Sequence, residues 1–122
     1  MNNPVSWFEI YVQDMGRAKK FYEAVFGIQL TKLEGTEFEM CAFPIRQDGF
    51  GASGSLVKIP GYPSGANSVL VYFTCADCAV EAEKAAKSGG QIETRKKSVG
   101  QYGHIALVID TEGNIIGLHS MQ

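Results

Sequence analysis

The strongest constraint on this chain is that it repeats itself. Residues 7–27 and 70–90 share one pattern at an offset of 63, which carries Asp14 onto Asp77 and Gly27 onto Gly90. In the first copy Trp7-Phe8-Glu9-Ile10-Tyr11-Val12 reads as a strand. Asp14 follows as a helix N-cap, because its carboxylate can accept from the free N–H groups of a first turn. Ala18, Phe21, Tyr22, Val25 and Phe26 then recur at helical spacing, and Gly27 ends the helix. In the second copy Leu70-Val71-Tyr72-Phe73-Thr74-Cys75 is the strand and Asp77 the cap. Ala79, Ala82, Ala85 and Ala86 line the helix that Gly89-Gly90 terminates.

Each helix is followed by three shorter strand candidates. These are 29–33, 37–44 and 54–59 in the first half, and 92–96, 104–110 and 115–120 in the second. The chain therefore reads as an α+β fold of two tandem βαβββ modules, 1–59 and 68–122, forming a curved mixed sheet. The turn-forming segment 60–67 joins them as a linker. A Gly-rich loop spans 46–54 in the first module, and Asp110-Thr111-Glu112-Gly113-Asn114 supplies a turn in the second. At 122 residues the chain accommodates one domain.

The formal net charge of −2 and a sequence pI near 5.6 leave no broad positive field, which excludes a nucleic acid partner. No basic leader precedes an apolar core at the N-terminus, and no apolar run is long enough to cross a bilayer, so no membrane association and a cytoplasmic location are expected. Cys41, Cys75 and Cys78 are odd in number and lie in or beside apolar segments, as reduced thiols would.

The strand-then-helix run from Phe8 through Asp14 to Phe21-Tyr22, the Phe26-Gly27 helix end and the late 110–114 turn together resemble the vicinal-oxygen-chelate superfamily, which includes glyoxalases, bleomycin-resistance proteins and extradiol dioxygenases. The resemblance covers nearly the whole chain. It implies that the modules curl into a cup whose base holds a divalent metal such as zinc, iron, manganese or nickel in active members. His, Glu or Gln on the first and fourth strands of each module would supply the ligands. Carried onto this chain, the first-strand positions are Trp7 and Leu70. The fourth-strand position is Gly117, which the 63-residue offset sends back to Gly54. None of the four side chains can bind a metal, so no metal cofactor is expected.

Strand alternation puts residues 7, 9 and 11 on one face of the first strand and 70, 72 and 74 on one face of its counterpart, so the side that would hold the metal also carries Glu9, Tyr11, Tyr72 and Thr74. The expected cup lining is Trp7, Tyr11, Leu56, Leu70 and Tyr72, with Glu9 and His119 as its polar members and Phe50 closing over a ligand from the rim. Gly54 and Gly117 would leave room for the Trp7 indole. A carboxylate inside an apolar strand is costly unless paired, so Glu9 is the sharpest candidate for a functional group, with Tyr72 as its hydrogen-bonding partner.

The remaining motifs are weaker. His104 aligns with Cys41 and opens a strand. Cys75-Ala76-Asp77-Cys78 has CxxC spacing but lacks a second pair or a thioredoxin-like context, although a helix N-terminus would lower the Cys78 pKa. The glycines of 48–54 do not open a helix and so do not form a phosphate loop. Arg95-Lys96-Lys97 reads as a solvated strand end.

Two functions follow from the resemblance. One is a metal-free protein binding a small, partly hydrophobic molecule in the cup, as drug-sequestering relatives do; bleomycin itself is large and cationic and suits this mildly acidic chain poorly. The other is an isomerase, lyase or dioxygenase acting on a small carbonyl or catechol compound, with Glu9 as catalytic base and Tyr72 or His119 as acid, and with a divalent metal only if residues other than the four aligned positions hold it. A homodimer is expected under both.

Overall fold

The structure, a computed structural model, describes residues 3–45 and 51–122. Strand β1 (Trp7–Tyr11) leads into helix α1 (Met15–Phe26), then β2 (Thr31–Lys32), β3 (Glu39–Ala42) and β4 (Ser53–Lys58). The second module repeats the order with β5 (Tyr72–Thr74), α2 (Cys78–Lys87), β6 (Gln91–Ser98), β7 (His104–Ile109) and β8 (Ile115–Ser120). The caps sit where the repeat predicts them. The Asp14 side chain accepts from the Arg17 N–H and that of Asp77 from the Ala79 N–H. Gly27 closes α1 at φ 63°, a left-handed conformation that glycine adopts without a steric penalty.

The strands form two four-stranded mixed sheets, ordered β1-β4-β3-β2 and β5-β8-β7-β6, each with one parallel pair and two antiparallel pairs. Register decides which face each side chain takes, and here the sequence offset misleads. Ile10 pairs with Leu56 while Phe73 pairs with Leu118, so the offset is 63 between the first strands and 62 between the fourth. One residue of slip reverses every side chain. Gly117 lies on the Tyr72 face, and a Cβ there would stand 2.4 Å from the Tyr72 ring. Gly54 lies on the opposite, helix-facing side, where a Cβ would stand 2.4 Å from the Phe8 ring. The glycines thus make room for Tyr72 and Phe8, not for Trp7, and the counterpart of Gly117 in the first module is Ser55. By the same pairing the counterpart of Cys41 is Ala106, not His104.

The core lies between the helices and the inner faces of both sheets. It holds Ile10, Phe21, Tyr22, Val25, Leu56, Val108, Ile116 and Leu118. Phe26, Phe43 and Phe73 pack around Tyr22, Phe8 packs on Phe43 and Phe73, and Phe26 stacks on Phe73 with centroids 4.4 Å apart, so aromatic burial joins the two modules. Leu56 is fully buried here and does not line the cup, because it shares the face of its partner Ile10.

A polar latch completes the junction. The Glu112 carboxylate, from the turn after β7, accepts from the backbone N–H groups of Gln13 and Asp14 at 2.8 and 2.9 Å and from Arg17 Nε at 2.7 Å. Asp110 accepts from the Tyr22 hydroxyl at 2.6 Å and from the Glu112 and Asn114 N–H groups. Asn114 donates to the Tyr11 carbonyl and accepts from the Gly65 N–H, pinning β1 and the linker to one turn. Burial and the adjacent Asp110 carboxylate push the Tyr22 phenol well above its ordinary range.

Among the described residues three buried side-chain atoms lack a partner, Glu81 Oε1, His104 Nδ1 and Ser55 Oγ, and the last belongs to a residue that is wholly buried. Ser55→Ala removes only that cost, so the denaturation midpoint is expected to rise, by about 1 kcal/mol of stability. A fall of that size in a urea titration would show that the hydroxyl is satisfied in solution.

Candidate ligand-binding site

The faces of β1 and β5 that point away from the helices carry the predicted site residues. Trp7, Glu9 and Tyr11 share one face of β1, and Leu70 and Tyr72 lie on the equivalent side of the second module. Trp7 is 39% exposed, Leu70 38% and Tyr72 47%, so large apolar groups stay open to solvent on this side. Glu9 is exposed as well, so its carboxylate keeps its water and bears no burial cost. Its carboxylate accepts from the Trp7 indole N–H at 3.1 Å; Tyr72, its expected partner, makes no hydrogen bond to it.

Tyr72 and His119 line one pocket, together with Thr74, Ile105, Val99 and Tyr102, enclosing about 360 Å³. The parallel pairing of β5 with β8 sets Thr74 beside His119, and the antiparallel pairing of β7 with β8 sets Ile105 on its other side. The short 3-10 turn Gly100–Tyr102 stands over these strands, with Gly100 at φ 73° and Gly103 at φ 98° shaping its two ends. His119 Nε2 lies 2.6 Å from the Tyr102 carbonyl oxygen, so the imidazole ties that turn to the sheet. The Tyr102 ring itself is 69% exposed at the pocket mouth.

Glu9 lines a different cavity, of about 370 Å³, with Tyr11 and the linker residues 63–69. The three proposed catalytic groups are therefore divided: Tyr72 and His119 share a pocket that Glu9 does not enter. Of the other predicted contacts, Phe50 lies outside the described residues. The linker, which the sequence marked only as turn-forming, supplies much of the Glu9 cavity. Hydrogen bonds from Ser64 to the Glu112 carbonyl and between Asn67 and both backbone groups of Ile115 hold it there.

The thiols offer no nucleophile. Cys78 is fully buried at the start of α2, and burial pushes the Cys75 thiol up to about 12, with nearby Glu81 adding to the shift. The donor set does not fit the divalent ion that the resemblance implies. The positions in question hold Trp7, Leu70 and Gly117, with Ser55 in place of Gly54 once the register is corrected. None provides an imidazole or carboxylate. Among the described residues no group of three or more His, Cys, Asp or Glu side chains is arranged to hold a metal. No helix among them is long and apolar enough to cross a membrane.

Residues 5–118 match the family model described as the Glyoxalase/Bleomycin resistance protein/Dioxygenase superfamily. Two curated mycobacterial proteins, each named "Putative glyoxylase CFP32", from Mycobacterium bovis and Mycobacterium tuberculosis, are 28% identical over 112 residues. The match covers 92% of this chain and spans 42% of the length of those relatives. Glyoxalase I from Zea mays superposes with a TM-score of 0.74 at 20% identity, over 97% of this chain and 46% of the maize chain. A glyoxalase/bleomycin resistance protein from Streptomyces sp. CB03234 superposes with a TM-score of 0.68 at 25% identity, over 94% of this chain and 98% of its own.

Proposed function

Because the chain belongs to the glyoxalase, bleomycin resistance protein and dioxygenase superfamily, we propose that it is a metal-free member that binds a small, flat, partly hydrophobic molecule on its open sheet face. The observation that carries this reading is the pocket between Tyr72, Thr74, Ile105 and His119, with Tyr102 at its mouth. Aromatic and aliphatic walls supply the apolar contact, and the His119 imidazole is the one ionisable group among them besides the two phenols. The acid–base alternative requires Glu9 within reach of Tyr72 or His119, and the separation of the two cavities speaks against it.

The test is a fluorescence or calorimetric screen of small aromatic compounds against chelator-treated protein. Hits are expected to lose about tenfold or more in affinity with either Tyr72→Ala or Tyr102→Ala, since each substitution removes a stacking surface. Affinity that depends on added nickel, zinc, manganese or iron would overturn the metal-free reading. Affinity unchanged in both variants would place the ligand elsewhere.

A homodimer in the cytoplasm belongs to the same proposal. It rests on the open apolar groups of β1 and β5 and on three free cysteines. Light scattering on the purified chain reads the dimer directly.

A further inference from the structure

We propose a second site, separate from the Tyr72 pocket: the cleft between β1 and the inter-module linker binds organic ammonium cations, with Glu9 as their counter-ion. The cleft measures about 370 Å³, room for a small organic cation, and Glu9, Tyr11, Asn67, Val69, Val71 and Asn114 are among its walls. Glu9 is the sole residue of formal charge lining it. Among the described residues its carboxylate forms no salt bridge, and its one hydrogen bond, from the Trp7 indole, leaves further lone pairs free. A lone unpaired carboxylate in a cleft without a cation makes its field negative.

The other polar side chains are largely committed elsewhere. Asn67 donates to the Val69 and Ile115 carbonyls and accepts from the Ile115 N–H. Asn114 donates to Tyr11 and Asp110 and accepts from the Gly65 N–H, while Ser64 donates to the Glu112 carbonyl. These bonds withhold the amide donors that an anion would need and the convergent oxygens that a bare metal ion would need, leaving the Tyr11 and Ser68 hydroxyls beside the Glu9 carboxylate.

The aromatic groups select the kind of cation. Tyr11 lines the cleft, Tyr62 meets it edge-on with centroids 5.8 Å apart, and Trp7 lies on the same strand face as Glu9 and Tyr11. Tyr11 is the one aromatic side chain among the cleft's walls, and an aromatic ring beside a carboxylate favours an alkylated ammonium, which sheds water more readily than an inorganic ion and is drawn to the ring quadrupole. The class is therefore a small amine or quaternary ammonium carrying an apolar body.

The test titrates the isotopically labelled full chain with choline and, separately, with its neutral isostere 3,3-dimethylbutan-1-ol, following backbone amide shifts. Choline is expected to give saturable shifts at Tyr11, Gly65, Ala66 and Asn67 at millimolar concentration, with the alcohol weaker by about tenfold or more. Glu9→Gln should weaken choline by a similar factor while leaving the thermal midpoint in place, since Glu9 is exposed. Glu9→Asp, which keeps the charge, should retain binding. Three results would each overturn the proposal: no saturable shift with choline, equal binding of the alcohol, or Glu9→Gln binding choline as the unaltered chain does.

Discussion

Replacing Glu112 by alanine is expected to lower the stability of the fold by about 3 kcal/mol, or roughly 10 °C in the thermal midpoint of a domain this size. The carboxylate has no exposed side-chain surface, and its loss strands the Gln13 and Asp14 N–H groups together with the Arg17 guanidinium. Arg17 is half exposed and can regain water, so the backbone groups dominate the cost. Burial alone would raise the Glu112 pKa, but the hydrogen bonds from Arg17, Asp14 and Gln13 outweigh it and bring the group from its ordinary 4.5 to about 2.

A carboxyl depressed in the folded state stabilises the fold fully above its unfolded value and loses that stabilisation as pH falls through its folded value. The window here runs from about pH 4.5 down to about pH 2. Urea midpoints measured across that window should fall steeply for the native chain and more gently for Glu112→Gln, which is already weakened at neutral pH. Parallel slopes would show that Glu112 is not the group responsible.

The second large effect is steric. A Cβ on Gly90 would stand 2.4 Å from the Ile109 carbonyl oxygen, 2.8 Å from the Phe21 ring and 3.1 Å from the Ala85 carbonyl. Two of the three obstacles are backbone, which cannot swing aside, so Gly90→Ala is expected to cost about 3 kcal/mol. Gly27→Ala is the informative control, because a Cβ there meets nothing and only the left-handed φ of 63° is penalised, at about 1 kcal/mol. Equal losses in calorimetry would mean that α2 and β7 part easily at this contact.

These two residues also mark what the sequence could and could not convey. The helices were legible because their signals are local: Asp14 and Asp77 cap within two or three residues, and the apolar period of α1 lies within one segment. Gly90 reads in the sequence as punctuation, the counterpart of Gly27, and its packing role is invisible there because Ile109 and Phe21 approach it from distant parts of the chain. After α2 the left-handed glycine is Gly89, at φ 98°. Glu112 was read as part of a turn, since nothing in Asp110-Thr111-Glu112-Gly113-Asn114 announces that its carboxylate reaches the other module. Alternation alone sets Trp7 and Glu9 on one face of β1 and Tyr72 on β5, in keeping with the ladder register. The sorting of Glu9 into one cavity and of Tyr72 and His119 into another depends on how the linker and the 3-10 turn fold over the sheets, which no short-range pattern encodes.

The one-residue difference in register between β4 and β8 also governs how an ion-binding centre could be grafted onto this scaffold. A designer copying the repeat would choose Gly54 as a coordinating position and drive an imidazole into the Phe8 ring. A designer following the hydrogen-bonded ladder would choose Ser55, which pairs with Glu9 but is itself fully buried. At Gly117 the Tyr72 ring occupies the space a new ligand would need, so Tyr72 must first be cut back to a smaller side chain. A route that places a metal ligand at Gly117 thus passes through Tyr72 first.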